Sequence, residues 1–407
     1  MSGNNSKESG QKSAQKSALH AKLRRLRRES PKASDGDQED GSSTGQNRRS
    51  KSAGMPPWLT ARLGRRDRLR KGEGPHASRA PAHARATVGT PLNLVQERNA
   101  KGVFSLREVR YALDHRHGSW ALGEAAPVDC AELATLAKDS DLASLELMRG
   151  VYLDIETTGL SGGAGTTPFM VALGWFEARA DTDEGVAESQ GAVSQGAVEF
   201  VLWQGFLCGP EEEAALLQAV ADRVSTSAGV VSFFGKSFDR HRLEDKMRVH
   251  GVAPPFADRP HLDLYHPLRR LYREALENGK LQTMERYLCD VVREDDLPGS
   301  FAPAAWFDFL AGRAHRLEDV FRHNADDVLS LVVLAAHLGC TLQEQRAGGG
   351  ELSGCPVSRA KGVTKVMDDL RRRPEALPWL ERYEERGGSP GSPAFQRIAA
   401  RVRRMSR

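Results

Sequence analysis

An acidic pair closes an apolar run in the segment VYLDIETTGLSGG, residues 151–163, where Asp154 and Glu156 are separated by one residue. Successive side chains of a strand point to opposite faces, so these two carboxylates share one face. Carboxylates this close repel each other, so either one keeps a proton or a cation lies between them, and oxygen ligands suit Mg²⁺ or Mn²⁺. The same pattern also fits a strand that ends in a solvated acidic turn, and on this segment alone both interpretations stay open.

Other residues at predicted strand ends and on predicted helices support the metal interpretation. Asp239 follows the apolar segment GVVSFF and a glycine turn, where side chains face the C-terminal rim of a sheet. Asp263 ends a short strand in HLDLYHP and is predicted either to bind metal itself or to support the ligands. His323 and Asp327 are four residues apart on a predicted helix and so share one face, where a histidine can act as a general base. Singly, these residues are also explained as helix-terminal or solvated groups, but together they predict one site.

Apolar periodicity after residue 150 predicts the elements that position these residues. Three strands joined by short turns and a Gly-rich acidic insert indicate an antiparallel meander, which a helix, a buried strand, a second helix, a short strand and further helices follow. The predicted bounds are 151–156, 169–178 and 197–207 for the meander, then 211–224, 229–234, about 236–250 and 262–267. This order is expected for an α/β fold with a ribonuclease-H-like mixed sheet flanked by helices.

Charge divides the chain of 407 residues, whose net charge of +4 combines unlike parts. The charge is about +12 over residues 1–90, about −15 from there to Cys355 and about +7 beyond it. Residues 1–90 are rich in Ser, Gly, Asn and Gln and are predicted to be disordered, with a short basic helix at Leu19–Ser30 and a second basic cluster at Ala61–Gly72. These clusters are interpreted either as solvated tail or as contacts to nucleic-acid phosphates.

The predicted division is a disordered basic tail at 1–90, a small N-terminal extension at 91–148, a ribonuclease-H-like domain at 149–343 and a basic, partly helical C-terminal tail at 344–407. In that last tail, Pro374, Pro378 and the GGSPGSP segment are expected to break the helices. The five cysteines form no C-x-x-C pair, which gives no sign of a zinc or disulfide framework. The N-terminus is polar and the longest apolar stretch is too short to span a bilayer, so a soluble, cytoplasmic protein without membrane contact is expected.

Four motifs in a fixed order connect these observations to a known family. DIETTGLSGGAGT, FGKSFD, HLDLYHP and HNADDVLSL occur in this order, and with them the chain resembles the YprB-type branch of the ribonuclease-H-like, four-carboxylate (DEDD) exonuclease superfamily. The resemblance implies hydrolysis of phosphodiester bonds in DNA or RNA, from a single-stranded 3′ end, with two Mg²⁺ or Mn²⁺ ions. It also implies the metal ligands Asp154, Glu156, Asp239 and Asp327, with His323 as the catalytic base.

Residues beside the motifs are predicted to contact substrate. Thr157, Thr158, Gly159 and Lys236 offer side chains or backbone amides that can bind a phosphate or a terminal sugar. Relatives often have Asn where this chain has Phe234, so a polar contact near the substrate is expected to be absent. The GKS at 235–237 is like the end of a nucleotide-triphosphate loop, but valine stands where the first glycine of such a loop is required.

Two rival functions stay open from the sequence. A non-catalytic nucleic-acid-binding protein would keep the fold as a platform and bind through the basic tails, without any effect of chelator on binding. A small-molecule nucleotide hydrolase would share the carboxylates. The sequence assigns no role to Asp326.

Overall fold

The computed structural model describes residues 92–159, 165–179, 198–346 and 349–404. The predicted basic tail with its clusters at 19–30 and 61–72 lies outside the described residues. So do most of the glycine-rich turn after Gly159 and the acidic insert between the second and third strands of the predicted meander.

A mixed seven-stranded sheet forms the centre of the described structure. From one edge to the other its strands are β1 (Val95–Asn99), β2 (Gly102–Ala112), β7 (Val198–Phe206), β6 (Pro168–Ala178), β5 (Val151–Thr157), β8 (Val230–Ser232) and β9 (His261–Asp263). The pairs from β1 to β5 are antiparallel, whereas β5, β8 and β9 run parallel. The predicted meander and the mixed sheet are therefore confirmed. A separate hairpin consists of two strands of two residues each, β3 (Arg116–His117) and β4 (Trp120–Ala121).

Ten α-helices are described, and most of them follow β7 in the chain. They are α1 (Cys130–Ala137), α2 (Glu213–Thr226), α3 (Asp239–Val249), α4 (Tyr265–Tyr272), α5 (Leu281–Cys289), α6 (Ala302–Leu310), α7 (Leu317–Gly339), α8 (Pro356–Asp369), α9 (Arg373–Glu385) and α10 (Pro393–Arg404). The helix predicted near Lys236 begins three residues later, at Asp239, because residues 235–238 form a turn. No helix among the described residues is both long and apolar enough to cross a membrane.

The sheet is covered on both faces, which explains the nearly continuous apolar sequence of its central strands. Tyr152 and Phe200 belong to the apolar cluster that contains the middle of α7. Their strand neighbours Leu153 and Val201 belong to the second cluster, which contains the buried face of α2. Neighbouring strand residues point to opposite faces, so β5 and β7 are buried on both sides and give the site a rigid base.

The ends of the described region also contribute to this structure. β2 pairs with β7, so the segment predicted as an extension adds two strands to the sheet. The predicted break at Pro378 is wrong, because Pro378 lies inside α9. A proline there removes one backbone hydrogen bond, but Trp379, Leu380 and Tyr383 on the same helix are buried against its neighbours, which compensates.

Candidate functional site

Asp154 and Glu156 lie at the end of β5, on the face that packs against α7. Tyr152, two residues earlier on the same face, is fully buried in the cluster that includes α7. The β5–β6 ladder shifts its register between Glu156 and Thr157. Irregularities of this kind are common beside active sites, because they end strand pairing and redirect side chains. The two carboxylates are partly buried where the strand leaves the sheet.

α7 brings two of the predicted residues to this acidic pair. His323 Nε2 lies 3.9 Å from Glu156 Oε1 and 3.6 Å from Asp327 Oδ2. Asn324, next to His323, donates a hydrogen bond of 2.7 Å from Nδ2 to Asp154 Oδ2. The helical spacing therefore places His323 and Asp327 together on the face that meets β5.

Asp239 begins α3 and is buried behind a tight turn. A Cβ at Gly235 would lie 2.8 Å from Asp239 Oδ2, so a larger residue there would displace the carboxylate. Asp263, at the end of β9, accepts hydrogen bonds from the amides of Phe234 at 2.7 Å and Lys236 at 3.2 Å. The Asp263 carboxylate is thus bonded to the backbone of the turn and fixes the segment that precedes Asp239.

The carboxylates of β5, α3 and α7 lie near enough to repel one another. Burial raises the pKa of Asp154 well above its ordinary value, and the charges of Asp327, Asp239 and Glu156 raise it further. Burial also raises the pKa of Asp239, with additional contributions from Asp263, Glu156 and Asp327. Four side chains that are up to 173 residues apart in sequence therefore form one electrostatic unit.

Arg293 reaches this unit from the loop after α5. Its Nη2 lies 2.6 Å from Asp327 Oδ1, and its Nε and Nη2 each donate to Glu285 at 2.7 Å. Only 6% of the Arg293 side chain and 1% of the Glu285 side chain are exposed. Because the three groups are buried together, Arg293 offsets part of the charge of Asp327, and its removal would leave two carboxylates without their cation.

His323 is held between three carboxylates. Its Nδ1 lies 2.7 Å from Asp296 Oδ1, opposite the Nε2 that faces Glu156 and Asp327. Burial alone would lower the pKa of His323, but Asp327, Asp296 and Glu156 raise it to about 10. A histidine in this state carries a proton at neutral pH. It can accept a proton from water only after the charge of Glu156 and Asp327 has been offset.

The donor types fit a divalent cation, although the side chains do not form a preorganised coordination site. All four predicted ligands are carboxylates, the donors that Mg²⁺ and Mn²⁺ prefer, and a cation relieves their mutual repulsion. As they stand, no three His, Cys, Asp or Glu side chains in the described part of the chain are placed to hold a metal ion. Asp327 instead pairs with Arg293, and Asp154 with Asn324. Arg293 contacts Oδ1 of Asp327, so a cation held by this carboxylate would share its charge with Arg293.

The residues predicted to contact substrate lie around the same rim. Thr157 donates through Oγ1 to the carbonyl of Gly159 at 2.9 Å, and Thr158 Oγ1 accepts from the amide of Thr167 at 3.0 Å. The threonine hydroxyls thus shape the end of β5. Lys236 is exposed, and its Nζ lies 3.2 Å from Asp139 Oδ2. Asp326 is partly buried, and burial raises its pKa.

Sequence reasoning missed the polar residues that hold the site in place. Asn324 receives a hydrogen bond of 3.0 Å from Gln204 of β7, and both side chains are fully buried. Arg293 and Asp296 lie in an irregular loop with no periodic pattern. The only signal in the sequence was the position of Asn324 within the HNADD motif, directly beside His323.

Comparison with known proteins agrees with the fold. Residues 151–339 match the family model of the RNase_H superfamily. The chain is 31% identical over 289 residues to the uncharacterized protein YprB of Bacillus subtilis (strain 168). The match covers 69% of this chain and 63% of YprB, so the chain spans less than two thirds of the length of this relative.

A solved structure with some likeness is the family B DNA polymerase from the hyperthermophilic archaeon Pyrobaculum calidifontis. The sequence identity is 16% and the TM-score 0.33, over 55% of this chain and 29% of the polymerase. A TM-score this low has no bearing on the activity of this chain.

Proposed function

This chain belongs to the YprB-type ribonuclease-H-like proteins, and we propose that it is a metal-dependent nuclease that removes nucleotides from the 3′ end of single-stranded DNA or RNA. Membership of the superfamily supports a nuclease-type function, and nucleases of this superfamily generally use divalent metals. The observation that carries the proposal is the gathering of Asp154, Glu156, Asp239 and Asp327 into one cluster, in which neighbouring acids raise the pKa of Asp154 and of Asp239. A cluster of this kind is costly unless a cation offsets it, and such groups concentrate at functional sites.

The four carboxylates are the residues that would hold two Mg²⁺ or Mn²⁺ ions. Bound there, such ions would supply charge stabilisation at the phosphate and a water of lowered pKa. Asn324 keeps Asp154 directed at the cluster, and Asp263 fixes the turn before Asp239. These supports reduce the freedom of the ligands, which is how neighbouring groups tune a metal centre.

His323 is proposed to orient or deprotonate the attacking water. Asp296 fixes the orientation of the imidazole through Nδ1, so that Nε2 is presented to the cluster. The pKa of His323, about 10 in this arrangement, must fall before the ring can act as a base, and offsetting the charge of Glu156 and Asp327 lowers it. Thr157, Thr158, Gly159 and Lys236 are proposed as contacts for the terminal nucleotide.

One observation favours the rival function, a non-catalytic nucleic-acid-binding protein. Arg293 already neutralises Asp327 in part, and a protein that never binds metal would retain such a pair. In that case the fold would serve as a platform, and the basic tails would supply the affinity for phosphates. The two functions differ in their response to chelator.

The division of the chain into a basic tail, an extension, a nuclease domain at 149–343 and a C-terminal tail stays a prediction. The cytoplasmic location and the contacts of the basic tails with phosphates stay predictions as well.

The proposed function is tested with single-stranded DNA and RNA labelled at the 5′ end, incubated with Mg²⁺ or Mn²⁺. We expect shortening from the 3′ end that EDTA stops and that Asp154→Asn abolishes. Asp222→Asn, which changes an exposed acid on α2, is the matched control and should cleave like the wild type. If neither polymer is cleaved and binding is equal with and without EDTA, the non-catalytic function is correct.

A further inference from the structure

A cavity of about 420 Å³ lies between α4 and the segment that leads to α5. Its walls include Arg269, Arg273, Glu277, Asn278 and Gly279. Arg269 is partly buried and Arg273 is exposed just beyond the end of α4. None of these residues belongs to the carboxylate cluster or to the predicted substrate contacts.

A continuous series of contacts joins this cavity to the carboxylates. Asp263 accepts a hydrogen bond from the amide of Phe234, whose ring meets the ring of Tyr265 edge-on, with 4.9 Å between centroids. The Tyr265 hydroxyl accepts a hydrogen bond of 2.7 Å from Arg269 Nη1. Arg269 lines the cavity, so these contacts connect the cavity to the turn before Asp239.

The two arginines of the cavity have no carboxylate partner among the described residues, unlike most other described arginines. Neither Arg269 nor Arg273 is in an ion pair with a described residue, whereas Lys236 at the rim is paired with Asp139. The chain from residue 91 to Cys355 has a net charge of about −15, which repels a polyanion. Arg269 and Arg273 are therefore cations on the cavity wall that no described carboxylate pairs with, and Glu277 is the one acid among the cavity residues.

Aromatic side chains lie on the same path. Phe234 has a φ of +62°, which is a costly backbone conformation for a bulky residue and is held in place by the bond to Asp263. Phe234 is a partly buried residue, and its ring lies 6.3 Å from the ring of His266, whose side chain is 50% exposed. Aromatic rings beside cations are the combination that binds single-stranded nucleic acid, because bases stack while phosphates pair.

We propose that Phe234, His266, Arg269 and Arg273 form a track for the unpaired strand of a polynucleotide. The strand passes from the cavity, where the arginines contact its phosphates, over the two rings to the carboxylate cluster. A duplex has its bases already stacked and cannot use the rings, so the track selects single strands. This inference rests on the proposed function, since it supplies the substrate path to that site.

The test measures binding of fluorescein-labelled oligo(dT), oligo(U) and a DNA duplex to the full chain in EDTA, over a range of salt. The variants are Arg269→Gln/Arg273→Gln and, as a matched control, Arg98→Gln, which removes an exposed charge from β1, at the sheet edge opposite β9. Two lost phosphate contacts should lower the slope of log K against log salt by about 1.4 for single strands. We expect affinity for oligo(dT) to fall about tenfold near physiological salt, with little change in the control.

A further variant, Phe234→Leu, separates stacking from charge. It should weaken oligo(dT) binding about fivefold without changing the salt slope and reduce the preference for single strands over duplex. Polyglutamate tests for simple anion binding, and the arginine variant should affect it much less than oligo(dT). If the arginine variant binds oligo(dT) with the affinity and salt slope of Arg98→Gln, or loses polyglutamate binding to the same extent as oligo(dT) binding, the track does not exist.

Failure of this inference differs from failure of the proposed function. Cleavage that requires Asp154 but is unaffected by the arginine variant would leave a nuclease without this track. Binding that depends on the arginines and on Phe234, in a protein that cleaves neither polymer, would leave the track on a non-catalytic platform. Thermal unfolding of each variant checks that the fold is retained.

Discussion

Asp239 at the rim of the sheet and Asp368 among the C-terminal helices are similarly buried, yet their pKa values move in opposite directions. Asp239 and Asp368 are 7% and 4% exposed. Burial raises the pKa of Asp239 and neighbouring acids raise it further. Burial also acts to raise the pKa of Asp368, but Arg401 and Arg373 bind its oxygens and lower it below the ordinary value.

Glu344 repeats the pattern of Asp368. Burial is outweighed by Arg386, whose two nitrogens donate to its oxygens at 2.8 and 3.0 Å, and by the fully buried Arg359. Depth of burial alone therefore does not decide the direction in which the pKa of an acid shifts. The neighbouring groups decide it, because Asp368 and Glu344 are paired with arginines, whereas Asp154 and Asp239 face other acids.

The largest effect is expected when a rim carboxylate is neutralised. Asp239→Asn should reduce cleavage on the order of 10³-fold, since it removes a proposed metal ligand, and loss of a supporting residue alone costs about 10- to 100-fold. Asp245→Asn, six residues along α3, is the control and should change cleavage little, because Asp245 is exposed and paired with Arg248. Rates on end-labelled single strands are compared, and equal rates for the two variants would remove Asp239 from the site.

Neutralising a paired acid of the C-terminal helices should instead affect stability. Glu344→Gln leaves Arg359 buried without its carboxylate and should lower the free energy of unfolding by about 3 kcal/mol. Glu381→Gln, at an exposed position on α9, should change it by less than about 0.5 kcal/mol. Urea unfolding measures both. A loss of cleavage in Glu344→Gln without loss of stability would contradict the division between the two regions.

A smaller effect on cleavage is expected from the residue that supports Asp154. Asn324→Leu keeps the branched shape of the side chain but removes the hydrogen bonds to Asp154 and from Gln204, and should reduce metal affinity and cleavage about 10- to 100-fold. The companion variant Gln204→Leu should reproduce part of this loss, because Gln204 holds Asn324. Manganese titration of cleavage separates affinity from rate. An unchanged manganese dependence in Asn324→Leu would show that Asp154 needs no support.

Neutralising an acid should change stability in opposite directions in the two regions as the pH rises. In metal-free protein the pKa of Asp154 is raised above the ordinary value of 3.8, so ionised Asp154 destabilises the folded state as the pH rises above 3.8. Asp154→Asn should therefore become more stabilising as the pH increases. The lowered pKa of Asp368 contributes stability above 3.8 that is lost as pH falls through the folded value, so Asp368→Asn should be most destabilising near neutral pH. Urea unfolding from about pH 3 to about pH 8, with EDTA, measures both slopes. Slopes of the same sign would contradict the comparison.

The sequence predicted the elements whose apolar residues repeat with the period of a strand or a helix. β5, β6, β7 and α2 were recognisable because a strand alternates between two faces and a helix repeats every three to four residues. Asp154, Glu156, His323 and Asp327 were recognisable because short spacing on one element decides which side chains share a face.

Partners that come from elsewhere in the chain could not be predicted in this way. Asp296 is 27 residues from His323, and the bond from Asn324 to Asp154 joins residues 170 apart. No local pattern encodes such a pairing. The helix break expected at Pro378 is wrong for a similar reason, because the tertiary packing of α9 outweighs the local preference of proline.

The central claim, that the rim acids repel one another until a divalent cation offsets them, is tested most directly by thermal unfolding of the wild type and Asp154→Asn with EDTA and with Mn²⁺. We predict that Asp154→Asn unfolds at the higher temperature in EDTA, because one charge of the cluster is gone. Mn²⁺ should then raise the unfolding temperature of the wild type above that of the variant, since a ligand that binds only the folded state stabilises it. A variant that is less stable in EDTA, with Mn²⁺ shifting both proteins equally, would contradict the claim.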